Sequence, residues 1–234
     1  RDRQALCRSW PSVLLLAILG IAAFNTLVYS GLQYTEAINA LLLQSLMPVL
    51  ILLLSFLTFR EKVTKLQCAG ILVSLSGAIT IIARGDTGVL LSLSINRGDL
   101  LVFTAVVCYA VYAVMLRKRP HAHPLAFLCA IFWLGSIILV PLYLWETMTV
   151  AALDFKPTNL LVVGYVMVFP SIVSYLCFNR VVELVGANRA GLFIHLLPVF
   201  GSIMAVLFLG EIFSWYHCVG IVLISLGIYL ATRT

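Results

Sequence analysis

Charged residues are scarce in this sequence. Asp, Glu, Lys and Arg make up 10% of its 234 residues, whereas soluble domains carry about 25%. Apolar residues account for 62%, and the mean hydropathy is +1.10. This composition excludes a soluble protein, and the net charge of +6 does not indicate a nucleic-acid partner, because basic residues in membrane proteins mark cytoplasmic loops. We therefore expect an all-α, polytopic membrane protein whose surroundings are the lipid bilayer.

Metal-binding cysteine patterns and buried carboxylates are also lacking. The six cysteines are scattered without C-x-x-C spacing, so we expect small, buried, reduced thiols and predict neither a metal nor a cofactor. All nine acidic residues fall at or near the ends of apolar segments. A proton-coupled carrier usually needs a titratable group inside the membrane, which leaves His195 or a residue outside this sequence. A facilitator driven by the substrate gradient is the open alternative.

Eight apolar stretches reach the length of about 20 residues that a membrane helix needs. They are 11–31, 37–59, 65–83, 98–116, 124–145, 159–179, 188–209 and 213–232. If the connecting segments alternate between the two sides, one side receives 12 of the 15 Lys and Arg residues. Because cytoplasmic loops carry the excess of basic residues, we expect a multi-pass protein of the cell inner (plasma) membrane with a cytoplasmic C-terminus.

A shift of 150 residues aligns two parts of the sequence. Pro48 and Glu61, in "SLMPVLILLLSFLTFRE", reappear as Pro198 and Glu211. The identities in register also include Ala37/Ala187, Ala40/Ala190, Cys68/Cys218, Gly70/Gly220 and Gly77/Gly227. Apolar composition alone would match Leu and Val, but not Pro, Glu and Gly. We therefore predict a duplication, with one unit at 1–84 and the other at 97–234.

The two units are predicted to be inverted. The second unit has five spans and the first has three, so we expect two further helices before residue 1 and ten in the intact protein. Because five is odd, the two units enter the membrane in opposite senses. Inverted repeats are typical of secondary transporters, in which the substrate site lies between the halves near the membrane midplane.

The duplicated segments carry a family resemblance. The sequence resembles the EamA-type repeat of the drug/metabolite transporter superfamily in "GLQYTEAINALLLQSLMPVLILLLSFLTFREKVTKLQCAGILVSLSGAITII" and in "VVELVGANRAGLFIHLLPVFGSIMAVLFLGEIFSWYHCVGIVLISLGIYL". Pro198, Gly210 and Glu211 match the family pattern, whereas Arg60 replaces the glycine in the first copy. The resemblance implies ten helices, cytoplasmic termini and, in many members, export of amino acids or other small metabolites.

Prolines inside three spans predict bends. Proline removes a backbone hydrogen bond and frees the carbonyl four residues earlier, which in hydrocarbon needs another partner. Pro48 and Pro198 occupy equivalent positions, and Pro170 is equivalent to Gly20. We predict hinges that line the substrate path at these four residues, with plain packing kinks as the alternative.

Polar side chains near these bends are candidates for the substrate path. His195 lies inside its span, and its repeat equivalent is Ser45, beside Gln44. An ionisable residue at this depth is a functional candidate, and a neutral histidine bonded to a nearby carbonyl is an equally weighted alternative. We expect His195→Ala to lower transport without preventing membrane insertion.

A second group of candidates lies on the 11–31 and 159–179 spans. Asn25 and Tyr29 are equivalent to Tyr175 and Asn179, so the pair is swapped between the units. These residues could bind an amino-acid-like or polyol-like substrate, or they could bond to neighbouring helices. Ser171 and Ser174 precede the second pair. Two further tyrosines, Tyr109 and Tyr112, are assigned to core packing or an interfacial belt in preference to the path wall.

Other repeated residues are expected to be structural. Glu61 and Glu211 lie at helix ends, where we expect them to cap the start of the next helix through backbone N–H groups. The repeated glycines, Gly70/Gly77 and Gly220/Gly227, predict close packing of the last helix of each unit, with a homodimer contact as the alternative.

Transport of a small-molecule substrate is the predicted function. We expect a secondary transporter that works by alternating access and exports amino acids or related compounds. A multidrug or other small-solute permease of the same fold is the first alternative. A membrane enzyme is the less favoured one, because His121 and His123 in "RKRPHAH" lack an acid or cysteine at ligand spacing. The substrate class follows from the family resemblance alone.

Overall fold

The computed structural model describes residues 2–149, 156–210 and 212–233, and it confirms the all-α, polytopic class. Eight helices in this part of the chain are long and apolar enough to cross a membrane. We number them α1 Trp10–Leu32, α2 Ala37–Phe59, α3 Lys65–Ile82, α4 Arg97–Lys118, α5 Pro124–Thr149, α6 Pro157–Val185, α7 Ala187–Phe208 and α8 Trp215–Thr232. Short helices at Asp2–Arg8 and Thr87–Leu91 precede α1 and α4.

The predicted spans agree with these helices within a few residues, except at the ends of α5 and α6. Helix α6 was expected to end at residue 179 but continues to Val185. Arg180 ends the apolar run, yet its guanidinium donates to Glu183 three residues later, which supports another helical turn. The helix stops only at Gly186, where φ is +84°.

Helix α4 occupies the centre of the bundle. Val102, Val106 and Ala110 of α4 are fully buried against α2, where Met47 and Ile51 contact them. Helix α1 packs along the same helix, and Gly31 of α1 approaches Gly98 of α4 so closely that an added Cβ would lie 2.9 Å from its carbonyl oxygen. The first and second units therefore interlock through α1, α2 and α4.

Helices α1 and α6 contain matching irregularities. Residues Ile18–Ala23 of α1 and Met167–Val173 of α6 form π-helical segments, and the shift of 150 superimposes nearly all of their residues. Helices α2 and α7 match in the same way. Helix α2 is interrupted after Gln44, and α7 passes through a 3₁₀ turn at Phe193–His195. All four predicted hinge residues lie in or within three residues of such an irregularity, and their hinge role stays a prediction.

Helices α3 and α8 form the closest helix pair of the described chain. They run antiparallel, and Gly70 faces Gly227 while Gly77 faces Gly220. These four residues are repeat equivalents, so the last helices of the two units are inverted relative to each other. The predicted close packing of these glycines is thus intramolecular, and a homodimer would have to use other surfaces.

The expected burial of the cysteines needs correction. The cysteines are free but mostly exposed on the outer faces of the bundle, with only Cys108 half-buried among the described residues, because a small apolar thiol is tolerated against lipid.

Arg60 ends α2 in the left-handed region at φ 52°, as Gly210 ends α7 at φ 71°. The glycine of the family pattern thus serves a backbone conformation that Arg60 adopts at some cost.

The glycine contact can be tested by Gly77→Ala. The added Cβ would lie 2.8 Å from the carbonyl oxygen of Gly220 and 2.9 Å from the backbone nitrogen of Ile224, so α3 and α8 must separate. We expect a loss of about 1–3 kcal/mol of stability, measured as a lower melting temperature in detergent.

Gly201→Ala is the matched control for this substitution. Its Cβ would meet no atom within 4 Å, and alanine favours a helix over glycine by about 0.5–1 kcal/mol. Equal melting temperatures for the two variants would contradict the close approach of α3 and α8.

Candidate functional site

The serines of α6 donate hydrogen bonds to backbone carbonyls of their own π-helical region. Pro170 cannot donate to the carbonyl of Val166, and the Ser171 hydroxyl donates to that oxygen instead at 3.0 Å. The Ser174 hydroxyl donates to the carbonyl of Phe169, also at 3.0 Å. Both predicted path residues therefore stabilise the bend of their own helix.

Two side chains, one with a hydroxyl and one with an amide group, donate hydrogen bonds to backbone carbonyls in the π-helical segment of α1. The Tyr175 hydroxyl, from α6, donates to the carbonyl of Gly20 at 2.5 Å. Asn25 donates from Nδ2 to the carbonyl of Ile21 at 2.9 Å. The bond from Tyr175 crosses from the second unit to the first, so the bend in α1 depends on a side chain of α6.

His195 joins the two units at the interruption of α2. Its ring is 1% exposed, with Nε2 2.8 Å from the carbonyl oxygen of Ser45 and Nδ1 2.6 Å from the Ser74 hydroxyl. A carbonyl can only accept, so Nε2 carries the proton, and Nδ1 of the neutral ring accepts from Ser74. Ser45 is the repeat equivalent of His195, so this bond lies on the pseudo-two-fold axis that relates the units.

The remaining members of this group lie around the same turn. Gln44 is half-buried and shares a small crevice with Ser45, His195 and Pro198. The Ser45 hydroxyl donates to the carbonyl of Leu42 in its own helix at 2.7 Å. The arrangement matches the alternative of a structural histidine bonded to a neighbouring carbonyl.

An aromatic cluster fills the space between α1, α4, α5 and α6. Successive ring centroids lie 4.6–6.2 Å apart, and the members are Phe24, Tyr109, Tyr112, Phe132, Tyr175 and Phe178. Tyr112 packs on Gly20, where an added Cβ would clash with its ring. Its hydroxyl donates to Oδ1 of Asn179 at 2.8 Å. Tyr112 and Asn179 thus form the polar edge of the aromatic cluster.

A cavity of about 300 Å³ lies beside this edge, at the end of the bundle that carries Arg117, Lys118 and Arg119. We call this end of the bundle the basic end and the space the basic-end cavity. Asn179 lies on its wall together with charged side chains of both signs: Glu61, Arg117, Arg119 and Glu183. An amide and paired charges allow it to hold a small polar or zwitterionic solute.

Two further cavities lie on the other side of the aromatic cluster. An apolar groove of about 770 Å³ runs between α5 and α6 and is lined by Phe132, Trp133, Met167 and Ser171. A cavity of about 470 Å³ lies at the opposite end of the bundle between α1 and α5. Tyr29 lines both of them and is 58% exposed.

Comparison with known proteins identifies the family. The sequence model described as "EamA-like transporter family" matches residues 2–83 and 96–233. The chain belongs to the EamA-like transporter family.

Two relatives of this EamA-like transporter align with nearly the whole of this chain and with about three quarters of their own length. "Uncharacterized transporter YyaM" of Bacillus subtilis (strain 168) is 30% identical over 231 residues, which cover 98% of this chain and 75% of the relative. The "Probable terminal-alkyne amino-acid exporter" of Streptantibioticus cattleyicolor is 26% identical, and the match covers 99% of this chain and 76% of the relative. A solved crystal structure with 19% identity has a TM-score of 0.78, covers 96% of this chain and 76% of its own, and supports the fold.

The predicted path residues of this EamA-like transporter fall into two groups. Gln44, Ser45 and His195 lie at the pseudo-two-fold axis. The residues of α1 and α6 lie around the aromatic cluster, and Tyr29 lines the apolar groove together with Ser171. Apolar residues of α2 and α4, such as Met47, occupy the space between the groups.

Glu61 was expected to cap the start of α3, but its carboxylate bonds to side chains of other helix ends. Its carboxylate accepts from the side chains of Ser55 and Asn188 and pairs with Arg117. The first turn of α3 is capped instead by Thr64, which forms a capping box with Gln67. Glu211 lies outside the described residues.

Sequence reasoning missed several partners in this transporter. Ser74 gave no signal, because a lone serine in an apolar helix commonly bonds its own backbone. Arg117, Arg119 and Glu183 were assigned only to basic loops or helix ends. Tyr112 was assigned to packing, and its spacing of three from Tyr109 gave no indication of the bond to Asn179.

A double-mutant cycle tests the link at the axis. His195→Ala leaves the carbonyl of Ser45 without its partner, which should cost about 1–3 kcal/mol of stability. Since Ser74 bonds the same ring, we expect a coupling energy above about 0.5 kcal/mol between His195→Ala and Ser74→Ala, measured by thermal unfolding in detergent.

Ser76→Ala provides the control in the same helix. Its hydroxyl is exposed and donates to the carbonyl of Val73, so it should be additive with His195→Ala. Additive effects of Ser74→Ala as well would contradict the bond to His195.

Proposed function

We propose that this chain carries a small polar metabolite across the cytoplasmic membrane by alternating access and exports amino acids or related compounds. In this mechanism the unit of α1–α3 and the unit of α4–α8 rock against each other, so that a central site faces each side in turn. Membership of a transporter family and the names of its relatives support transport rather than catalysis.

One observation carries the proposal: a thin barrier separates the basic-end cavity from the apolar groove. Asn179 lines the basic-end cavity and Phe132 lines the groove. Between them, Tyr112 bonds Asn179, its ring contacts Tyr175, and Tyr175 contacts Phe132. These contacts are made by side chains, so small movements of α4 and α6 would break them and open the barrier, as an occluded carrier requires.

The paired irregularities support bending at equivalent places in both units. In α1 and α6, backbone carbonyls at the π-helical segments accept hydrogen bonds from the side chains of Ser171, Ser174, Tyr175 and Asn25. A bond from a rotatable side chain tolerates a change of helix angle better than a regular backbone ladder does. We therefore keep Gly20, Pro48, Pro170 and Pro198 as the proposed hinges.

Two observations favour an amino-acid-like substrate. The basic-end cavity offers both Arg119 and Glu183 together with the amide of Asn179, which suits a solute carrying an ammonium and a carboxylate group. One relative bears the name of a probable amino-acid exporter. One side of the membrane receives 12 of the 15 Lys and Arg residues, and this excess supports placing the basic-end cavity and the C-terminus on the cytoplasmic side.

The apolar groove supports a second candidate, a multidrug permease. At about 770 Å³ it falls in the size range of drug-binding pockets, and its lining offers few polar groups. An apolar solute would reach it from the bilayer between α5 and α6. Efflux of a lipophilic cation such as ethidium distinguishes this candidate from amino-acid export.

The first experiment compares metabolites in the culture medium. Cells that overproduce the full-length protein and cells with the empty vector are analysed by mass spectrometry. Accumulation of a few amino acids or related compounds outside the overproducing cells is the expected result. Unchanged medium together with faster ethidium efflux would favour the multidrug permease over the amino-acid exporter.

Substitutions at the barrier test its part in transport. Asn179→Ala and Tyr112→Phe each remove one neutral hydrogen bond, worth about 1 kcal/mol, and we expect export to fall roughly three- to tenfold. Initial rates are measured at equal amounts of protein in the membrane.

The control for the barrier is Thr104→Ala. The Thr104 hydroxyl is exposed on α4 and donates to the carbonyl of Leu100, away from the cavities. Export that drops equally in this variant, or that stays unchanged in Asn179→Ala and Tyr112→Phe, would contradict the barrier.

A further inference from the structure

Glu61 collects hydrogen-bond donors from both units. The Ser55 hydroxyl, one turn before the end of α2, donates to Oε2 at 2.7 Å. Asn188, at the start of α7, donates from Nδ2 to the same oxygen at 2.9 Å. Arg117, at the end of α4, pairs with Oε1. Two of the three donors belong to the second unit, so this carboxylate ties the units together at the basic end.

A second ion pair extends this connection to α6. Arg119 follows α4 and pairs with Glu183 of α6 at 2.6 Å. Glu61, Arg117, Arg119 and Glu183 all line the basic-end cavity. The ends of α2, α4 and α6 and the start of α7 are thereby joined around this cavity, outside the barrier at Asn179.

Two buried polar atoms among the side chains that join these helix ends lack a hydrogen-bond partner in the described part of the chain. Nη1 of Arg119 and Oδ1 of Asn188 are buried and have no hydrogen-bond partner among the described residues. The side chains of Arg117 and Glu61 are 60% and 35% exposed, and an ion pair this exposed contributes little on its own. Several weak links around one cavity can hold it closed and still release it in each cycle.

We propose that Glu61 is the latch that closes the basic-end cavity: while it holds Arg117 and Asn188 the two units stay together there, and its release opens the cavity to the cytoplasm. This inference rests on the alternating access proposed above. Glu61 acts as a positioning residue, because it sets the distance between units and has no need to touch the substrate.

Reporter cysteines on opposite ends of the bundle test the latch. Ala187→Cys reports on the basic-end cavity and Ser30→Cys on the cavity at the opposite end. A membrane-impermeant maleimide is applied to inside-out and right-side-out vesicles containing the full chain. Labelling of the parent chain, which has exposed native cysteines, is subtracted.

Glu61→Gln removes the charge and keeps the size of the side chain. We expect the labelling rate of Ala187→Cys to rise about fivefold and that of Ser30→Cys to fall, since opening one end closes the other. The charge swap Glu61→Arg with Arg117→Glu should restore both rates. Unchanged rates would overturn the latch, and so would a rise at both reporters, which indicates general loosening.

Two controls separate this inference from the function on which it rests. Glu36→Gln changes an exposed carboxylate that caps no helix through its side chain, and it should leave both rates unchanged. With Glu61 intact, a bulky maleimide on Ala187→Cys should hold the basic end open and protect Ser30→Cys. Absence of protection contradicts alternating access itself, whereas protection without an effect of Glu61→Gln contradicts the latch alone.

Discussion

Backbone carbonyls that lose their helical partner inside a membrane need another donor, because lipid supplies none. In the described part of the chain, side chains supply such a donor at three carbonyls of irregular helices. Tyr175 supplies a hydroxyl to Gly20, Ser171 to Val166, and His195 an N–H to Ser45. Two of these three bonds cross between the units. The bends and the interlocking of the units therefore depend on the same small set of polar side chains.

This constraint divides the molecule into parts with different freedom of movement. The contact of α3 with α8 is backbone against backbone, with glycines at its centre, and it leaves no room for sliding. The contacts of α1 with α6 and of α2 with α7 run through side chains at π-helical segments and turns. Movement between the units is accordingly easiest around the aromatic cluster and around Glu61, while α3 and α8 form the fixed side of the bundle.

The fold followed from the sequence because its signals are strong and local. Apolar runs of helix length and the register of Pro48 with Pro198 required no knowledge of neighbouring helices. The identity of the polar residues was also readable, since Asn25, Tyr175 and His195 are rare in such runs. Their partners were not, because a hydrogen bond between Tyr112 and Asn179 depends on how α4 and α6 meet in space.

The errors have the same origin. Glu61 was expected to act on the helix that follows it, since adjacency in sequence was the only available guide. Two of its three donors, however, come from residues 56 and 127 positions away. The cysteines were expected inside because free thiols are usually buried. In a bilayer the outer face is apolar too, so hydrophobicity no longer separates inside from outside.

The pairing of Gly70 with Gly227 and of Gly77 with Gly220 has the geometry of an isologous interface, in which each partner offers the same patch to the other. Here both patches belong to one polypeptide. A true homodimer would place two identical residues at its axis and could not do otherwise. Joined in one chain, the two copies are free to differ there: His195 meets Ser45, and Ser74 of α3 corresponds to Ile224 of α8. Covalent linkage thus permits a hydrogen bond on the symmetry axis that no symmetric pair of chains could form with these residues.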